Sequence, residues 1–190
     1  MSLALPRERG HGPAMSKRFR VLTAVGPDQA GLVKEISSAI HRAGANLEDS
    51  RMAVLGGEFA MLVLFSGSDA ELAQAEEQGR AAAGRLGLFC HFRETAAPGS
   101  TGDGLVYDLR VTALDQPGIV EAVTTVLAAW GVNVASLETS VIHQPLSGTP
   151  TFLLEALLHV PAGVALSELR HDLTRVADEH NLDLTLEARA

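Results

Sequence analysis

Two short passages of this chain carry residue types able to hold a charged small molecule. Asp28-Gln29-Ala30-Gly31-Leu32 and Asp115-Gln116-Pro117-Gly118-Ile119 each follow a β-rich run and precede apolar residues at helical spacing. The first N–H groups of a helix have no intrahelical partner, so such a turn can receive a carboxylate. Gly31 and Gly118 remove a side chain where a ligand or a neighbouring backbone could come close. Asp28 and Asp115 can accept a ligand ammonium group. They can equally cap the helix, a role worth about 1 kcal/mol, and the glycines can equally serve the turn alone.

The second passage repeats the first 87 positions later, and the register persists downstream, because Gly44-Ala45-Asn46 returns as Gly131-Val132-Asn133. Six of the 19 positions in 28–46 and 115–133 are identical, so the chain is a tandem of two like units. In the first unit, Phe19–Val25 reads as a strand. The stripe Leu32, Val33, Ile36, Ala39, Ile40 and Ala43 reads as a helix, ended by Gly44. Asn46–Leu55 and Glu58–Phe65 form a hairpin across Gly56-Gly57. Ser68-Asp69-Ala70-Glu71 has capping-box spacing and opens a helix to about Leu86, and Leu88–Glu94 closes the unit as a strand.

The second unit keeps this order. Tyr107, Leu109, Val111 and Ala113 alternate with polar residues as a half-buried strand does. A helix over Gln116–Trp130 presents Val120, Val123, Leu127 and Trp130, and strands over Asn133–Ile142 and Thr151–Val160 follow. A last helix presents Leu166, Leu169, Leu173, Val176 and His180, with Leu182–Glu187 as the final strand. The hairpin through residues 143–150 is six residues longer than its counterpart, and either covers a site or meets a partner. Gly79 and Gly84 each cost a helix roughly 1 kcal/mol against alanine, so the helix of residues 69–87 is expected to be the more weakly held. The order β-α-β-β-α-β is the ferredoxin-like α+β arrangement: an antiparallel sheet in each domain with both helices on one face. The expected parts are a disordered leader (1–16), a domain over 17–95, a Pro/Gly-rich linker (96–104) and a domain over 105–190.

The net charge of −8, with no basic run beyond Lys17-Arg18, argues against direct nucleic-acid binding, which rests on neutralising phosphates. It leaves open a regulator that works through another protein. A single cysteine, Cys90, excludes an intrachain disulfide and suits a reducing cytoplasm, where it reads as a small apolar residue in a strand. No apolar run reaches the ~18 residues of a membrane span. His171 and His180, nine residues apart, fall on opposite sides of one helix. The other histidines lack metal-ligand spacing, so no metal is assigned. No Walker, G-x-S-x-G or G-x-G-x-x-G pattern occurs, and no cofactor or catalytic residue is assigned.

The run Gly26–Val33, the helix ending in Gly44-Ala45-Asn46 and the β-α-β-β-α-β order resemble ACT domains, small modules that commonly bind amino acids and regulate a neighbour. The tandem, over residues 18–190, resembles the two-domain regulators of the glycine cleavage system transcriptional repressor family. The resemblance implies a small amino acid, glycine for instance, held between the strand-to-helix turn of one domain and the start of the second strand of a partner domain. That assigns Asp28, Gln29, Gly31, Leu32 and Asn46, with Asp115, Gln116, Gly118, Ile119 and Asn133, and a regulatory protein as partner. Side-by-side pairing of the domains within the chain is expected, since each leaves edge strands open, and a homodimer is possible on the same ground. Pro117 stiffens the second turn where Ala30 loosens the first, which favours the second site. The first repeat also resembles the amino-terminal ACT segment of formyltetrahydrofolate deformylases. With no catalytic domain following, a non-enzymatic relative of that segment is the alternative, beside a ligand-free docking module.

Overall fold

Alternation along the strands builds each sheet. The computed structural model describes residues 17–97, 99, 104–145 and 148–189. The expected leader (1–16), most of the linker (98 and 100–103) and residues 146–147 of the long hairpin lie outside the described residues. In β1 (Arg18–Pro27), Leu22 and Ala24 are buried while Thr23 and Val25 are exposed. In β5 (Leu105–Leu114), Tyr107, Leu109, Val111 and Ala113 are buried, as the alternation predicts.

The first unit continues with α1 (Leu32–Arg42), β2 (Asn46–Leu55), β3 (Glu58–Gly67), α2 (Asp69–Arg85) and β4 (Phe89–Thr95). The second adds α3 (Ile119–Ala129), β6 (Asn133–His143), β7 (Pro150–Val160), α4 (Leu166–His180) and β8 (Asp183–Ala188). The strands order as β2-β3-β1-β4 and β6-β7-β5-β8, every neighbour antiparallel. This is the ferredoxin-like order. One apolar cluster in each unit joins both helices to the inward strand residues, so both helices cover one face, as right-handed crossovers require.

The local signals are met by the expected devices. Gly56 and Gly57 both take positive φ (60° and 88°) in the β2–β3 turn. Ser68 and Glu71 form the capping box at the start of α2. The Ser68 backbone N–H donates to Glu71 Oε2 at 2.7 Å, and this bond, with that from the Ser68 hydroxyl, holds the Glu71 carboxyl below the usual carboxylate range. Cys90 packs partly buried against the first core. Two stripe residues are corrected: Val33 and Val120 are exposed. Their helices start at Leu32 and Ile119, which turns Ile36, Ala39 and Ile40 inward in α1, and Val123, Val126 and Leu127 in α3.

The face away from the helices differs between units. In the first it presents Val25, Leu62 and Phe89, all exposed. In the second, Glu138 and Glu155 stand directly opposite one another, a like-charge pair. Arg110 reaches Glu155 at 3.3 Å.

Candidate functional site

Both candidate turns are built alike. The backbone N–H of Asp28 donates to the Gly57 carbonyl at 2.9 Å, and that of Asp115 to the Pro150 carbonyl at 3.3 Å, tying each turn to the adjacent hairpin. The chain then enters the helix through a left-handed glycine: Gly31 at φ 96°, ψ −4°, and Gly118 at φ 93°, ψ −7°. These glycines occupy the N-cap position themselves, and no side chain caps either helix. Asp28 and Asp115 are therefore not the caps that their position before a helix suggests. They stay exposed on the turn, free of a capping duty.

Two further assignments change. Leu32 and Ile119 are buried in their cores, so each can offer a ligand its backbone alone. Gln29 donates through Nε2 to the Leu86 carbonyl at 2.8 Å, and Gln116 does the same to the His180 carbonyl at 2.7 Å. Both acceptors end the second helix of their unit. These carboxamides join the turn to a helix C-terminus where carbonyls lack intrahelical donors, so the glutamine N–H groups serve the fold first.

Asn46 and Asn133 lie elsewhere. Asn46 pairs with Ser66 and Leu55 with Glu58, while Pro27, beside the turn, also pairs with Glu58. Eight residue steps along β3, from Ser66 to Glu58, thus separate the asparagine from the turn, roughly 26 Å at the rise of a strand. The second unit has the same register, with Asn133 against His159 and Leu114, at the turn, against Thr151. Neither unit brings its turn and its asparagine together. The two fall at opposite ends of one sheet.

A β-bulge follows each asparagine at the same offset, between Leu47 and Asp49 and between Val134 and Ser136. Bulges of this kind re-aim side chains and gather near functional sites. In the first unit the bulged residue is Glu48. Its Oε1 accepts from Lys17 Nζ at 2.6 Å, from Asn46 Nδ2 at 2.9 Å and from the hydroxyl of buried Ser66. These donors, Lys17 first, hold the Glu48 carboxyl down at about 2. In the second unit the bulged residue is Ala135. There Asn133 lines an open cleft of about 410 Å³ with Gly131, His159, Val160 and Pro161. In the first unit, Asn46 borders a cleft of about 390 Å³ against Ser37, Ser38 and His41 of α1.

Residue spacing had not pointed to Lys17, Glu48, Ser66 or His159. The available signal was the Asn-x-Glu at the start of the second strand. Among the described residues no group of three or more His, Cys, Asp or Glu is placed to hold a metal ion. No described helix is long and apolar enough to cross a membrane.

Comparison with known proteins places this geometry. The chain is 28% identical over 167 residues to the glycine cleavage system transcriptional repressor of Escherichia coli strain K12, covering 87% of each. It superposes with a TM-score of 0.81 on the crystal structure of an unknown protein from Galdieria sulphuraria, at 33% identity, over 92% of this chain and 99% of that one. A shorter match, 39% identical over 71 residues, reaches the formyltetrahydrofolate deformylase of Mycobacterium tuberculosis strain H37Rv, covering 36% of this chain and 22% of the enzyme. The ACT domain model matches twice, over residues 18–93 and 109–187. With the glycine-entered turn and the bulged second strand present in both repeats, the chain belongs to the ACT domain family, as a tandem of two such domains.

Proposed function

We propose that this tandem is a non-enzymatic regulator that binds a small amino acid and passes the signal to a partner protein, such as a transcription regulator, by contact. The observation that supports it is the separation of the two half-sites. A turn that can receive a carboxylate and an asparagine-bulge end that can complete a site lie at opposite ends of each domain. On this reading, a site that uses both the turn and the asparagine end draws them from different ACT domains. The similarity to a transcriptional repressor, together with a net charge of −8, favours action through protein contact over direct DNA binding. Ligand and partner can be coupled only if the ligand's affinity differs between the free and partner-bound states.

A thermal-shift panel of the common amino acids, glycine first, tests this reading. A ligand at 100 times its Kd should stabilise the fold by about 2.7 kcal/mol. No shift with any of them, and no heat of binding by calorimetry, overturns the sensor. That outcome would favour a ligand-free docking module, a reading supported by the bonds that already engage Gln29 and Gln116. Turnover of formyltetrahydrofolate would overturn the non-enzymatic part.

A further inference from the structure

In the first domain, one carboxylate oxygen already sits among three donors. Lys17 Nζ, Asn46 Nδ2 and Ser66 Oγ all converge on Oε1 of Glu48. An ammonium, an amide N–H and a hydroxyl converging on one oxygen is the donor set expected of a carboxylate-binding site. It lies at the start of the second strand, where Asn46 is the candidate ligand residue. The carboxylate it holds is the chain's own, delivered by the bulge that turns Glu48 into the cluster.

The second domain has the bulge without the carboxylate. Counting 87 residues on, Ala135 replaces Glu48 and Gly104 replaces Lys17, while His159 faces Asn133 as Ser66 faces Asn46. Asn46 and Asn133 each border a cleft without acidic lining residues, so the difference lies in the Glu48 carboxylate that accepts from Asn46 and that Ala135 cannot supply. The two domains thus share a backbone and differ in whether a built-in carboxylate meets the asparagine.

We propose that Lys17, Asn46 and Ser66 form a carboxylate-binding site that the chain occupies with its own Glu48, so that of the two asparagine ends the Asn133 end, which has no built-in carboxylate, is the one that takes a free carboxylate ligand. The tandem is then functionally asymmetric: one asparagine end is internally satisfied and structural, the other receives the ligand. The statement about the second domain rests on the sensor reading above, whereas the donor set around Glu48 stands independently of it.

Acetate, the smallest probe of the lost side chain, separates the two. The full chain and its Glu48→Ala variant are titrated with sodium acetate, against sodium chloride at matched ionic strength, and followed by ¹H–¹⁵N NMR. Saturable shifts of the Asn46 side-chain amide and of the backbone amides of residues 46–49 are expected in Glu48→Ala, with acetate bound at least tenfold tighter than in the parent. The double variant Glu48→Ala, Lys17→Ala should lose most of that gain. Glu48→Thr, whose short β-branched side chain suits a strand, repeats the test if Glu48→Ala does not fold. A folded variant without saturable shifts at these residues, or a parent that responds equally, overturns the proposal. Calorimetry with glycine then reads stoichiometry: one Asn133-dependent site in the parent and a second in Glu48→Ala support the asymmetry, and two sites in the parent overturn it. A parent that binds no amino acid, beside a Glu48→Ala variant that takes acetate, removes the sensor and keeps the donor set.

Discussion

At the scale of single residues, the two glutamines show how a motif side chain can belong to the fold. Gln29 and Gln116 each donate an amide N–H to the carbonyl that ends the second helix of their unit. A neutral bond of this kind contributes about 1 kcal/mol, and it sits at the negative end of a helix dipole. Gln116→Ala should therefore cost up to about 1 kcal/mol. Gln116→Glu should cost more, because the carboxylate cannot donate and brings a negative charge to that end. Urea unfolding of both variants checks the order, and equal stability of the two would refute it. Glu48 makes a second prediction through pH. Its carboxyl is held at about 2 in the folded chain, below its ordinary 4.5. A depressed acid contributes stability that is fully present above 4.5 and fades as pH falls from 4.5 towards 2. Glu48→Gln should flatten that part of the acid-unfolding curve and leave its shape near neutral pH unchanged. A parallel acid limb in the variant would contradict the assignment.

At the scale of elements, the two glycines of α2 differ in what surrounds them, which propensity alone does not show. Gly79 counts as a weakness in a list of residues, yet it is buried and a methyl group there would lie 2.7 Å from Cζ of Phe92. That ring cannot retreat easily. It stands edge-on to Phe65 at 6.3 Å, and the Arg80 guanidinium lies 5.0 Å from its centre. Gly84 is exposed, with nothing within 4 Å of such a methyl. Gly84→Ala should therefore stabilise the chain by roughly 0.5–1 kcal/mol, while Gly79→Ala should destabilise it through overpacking, of order 1–3 kcal/mol. Denaturant midpoints read both signs, and a stabilising Gly79→Ala would show that the packing argument fails. The same contrast explains what the sequence made legible. Caps, hairpin turns and strand alternation rest on neighbours in the chain, so Ser68, Gly56-Gly57 and the stripe of β5 could be read directly. The role of Asp28 could not, because a left-handed glycine three residues later took the cap. The donor set around Glu48 could not either, since it gathers residues 17, 46, 48 and 66 from three strands' ends. The turns of the candidate site were legible as motifs, but their distance from Asn46 and Asn133 depends on strand register, which spacing along the chain does not reveal.

At the scale of the whole molecule, the duplication gives two cores rather than one enlarged core. The described residues fall into two apolar clusters, each drawn from a single unit. In such a chain, damage to one core should remain in that unit unless the two unfold as a single cooperative body. Leu173 of α4 is fully buried in the second cluster, and Leu173→Ala should cost about 2–5 kcal/mol there. Amide hydrogen exchange on the intact chain would then show faster exchange throughout β5–β8, α3 and α4, while β1, β3 and α1 keep their protection. Equal loss in both units would instead show that they unfold together. The distinction bears on the proposed function. A ligand completed by two domains would bind only when both are folded, so at saturation it should stabilise both against exchange by the same mass-action term. In Leu173→Ala the second unit should recover protection as glycine is added, and protection in the first should rise in parallel only if each domain supplies half of the site. Recovery confined to the second unit would place the whole site within that domain.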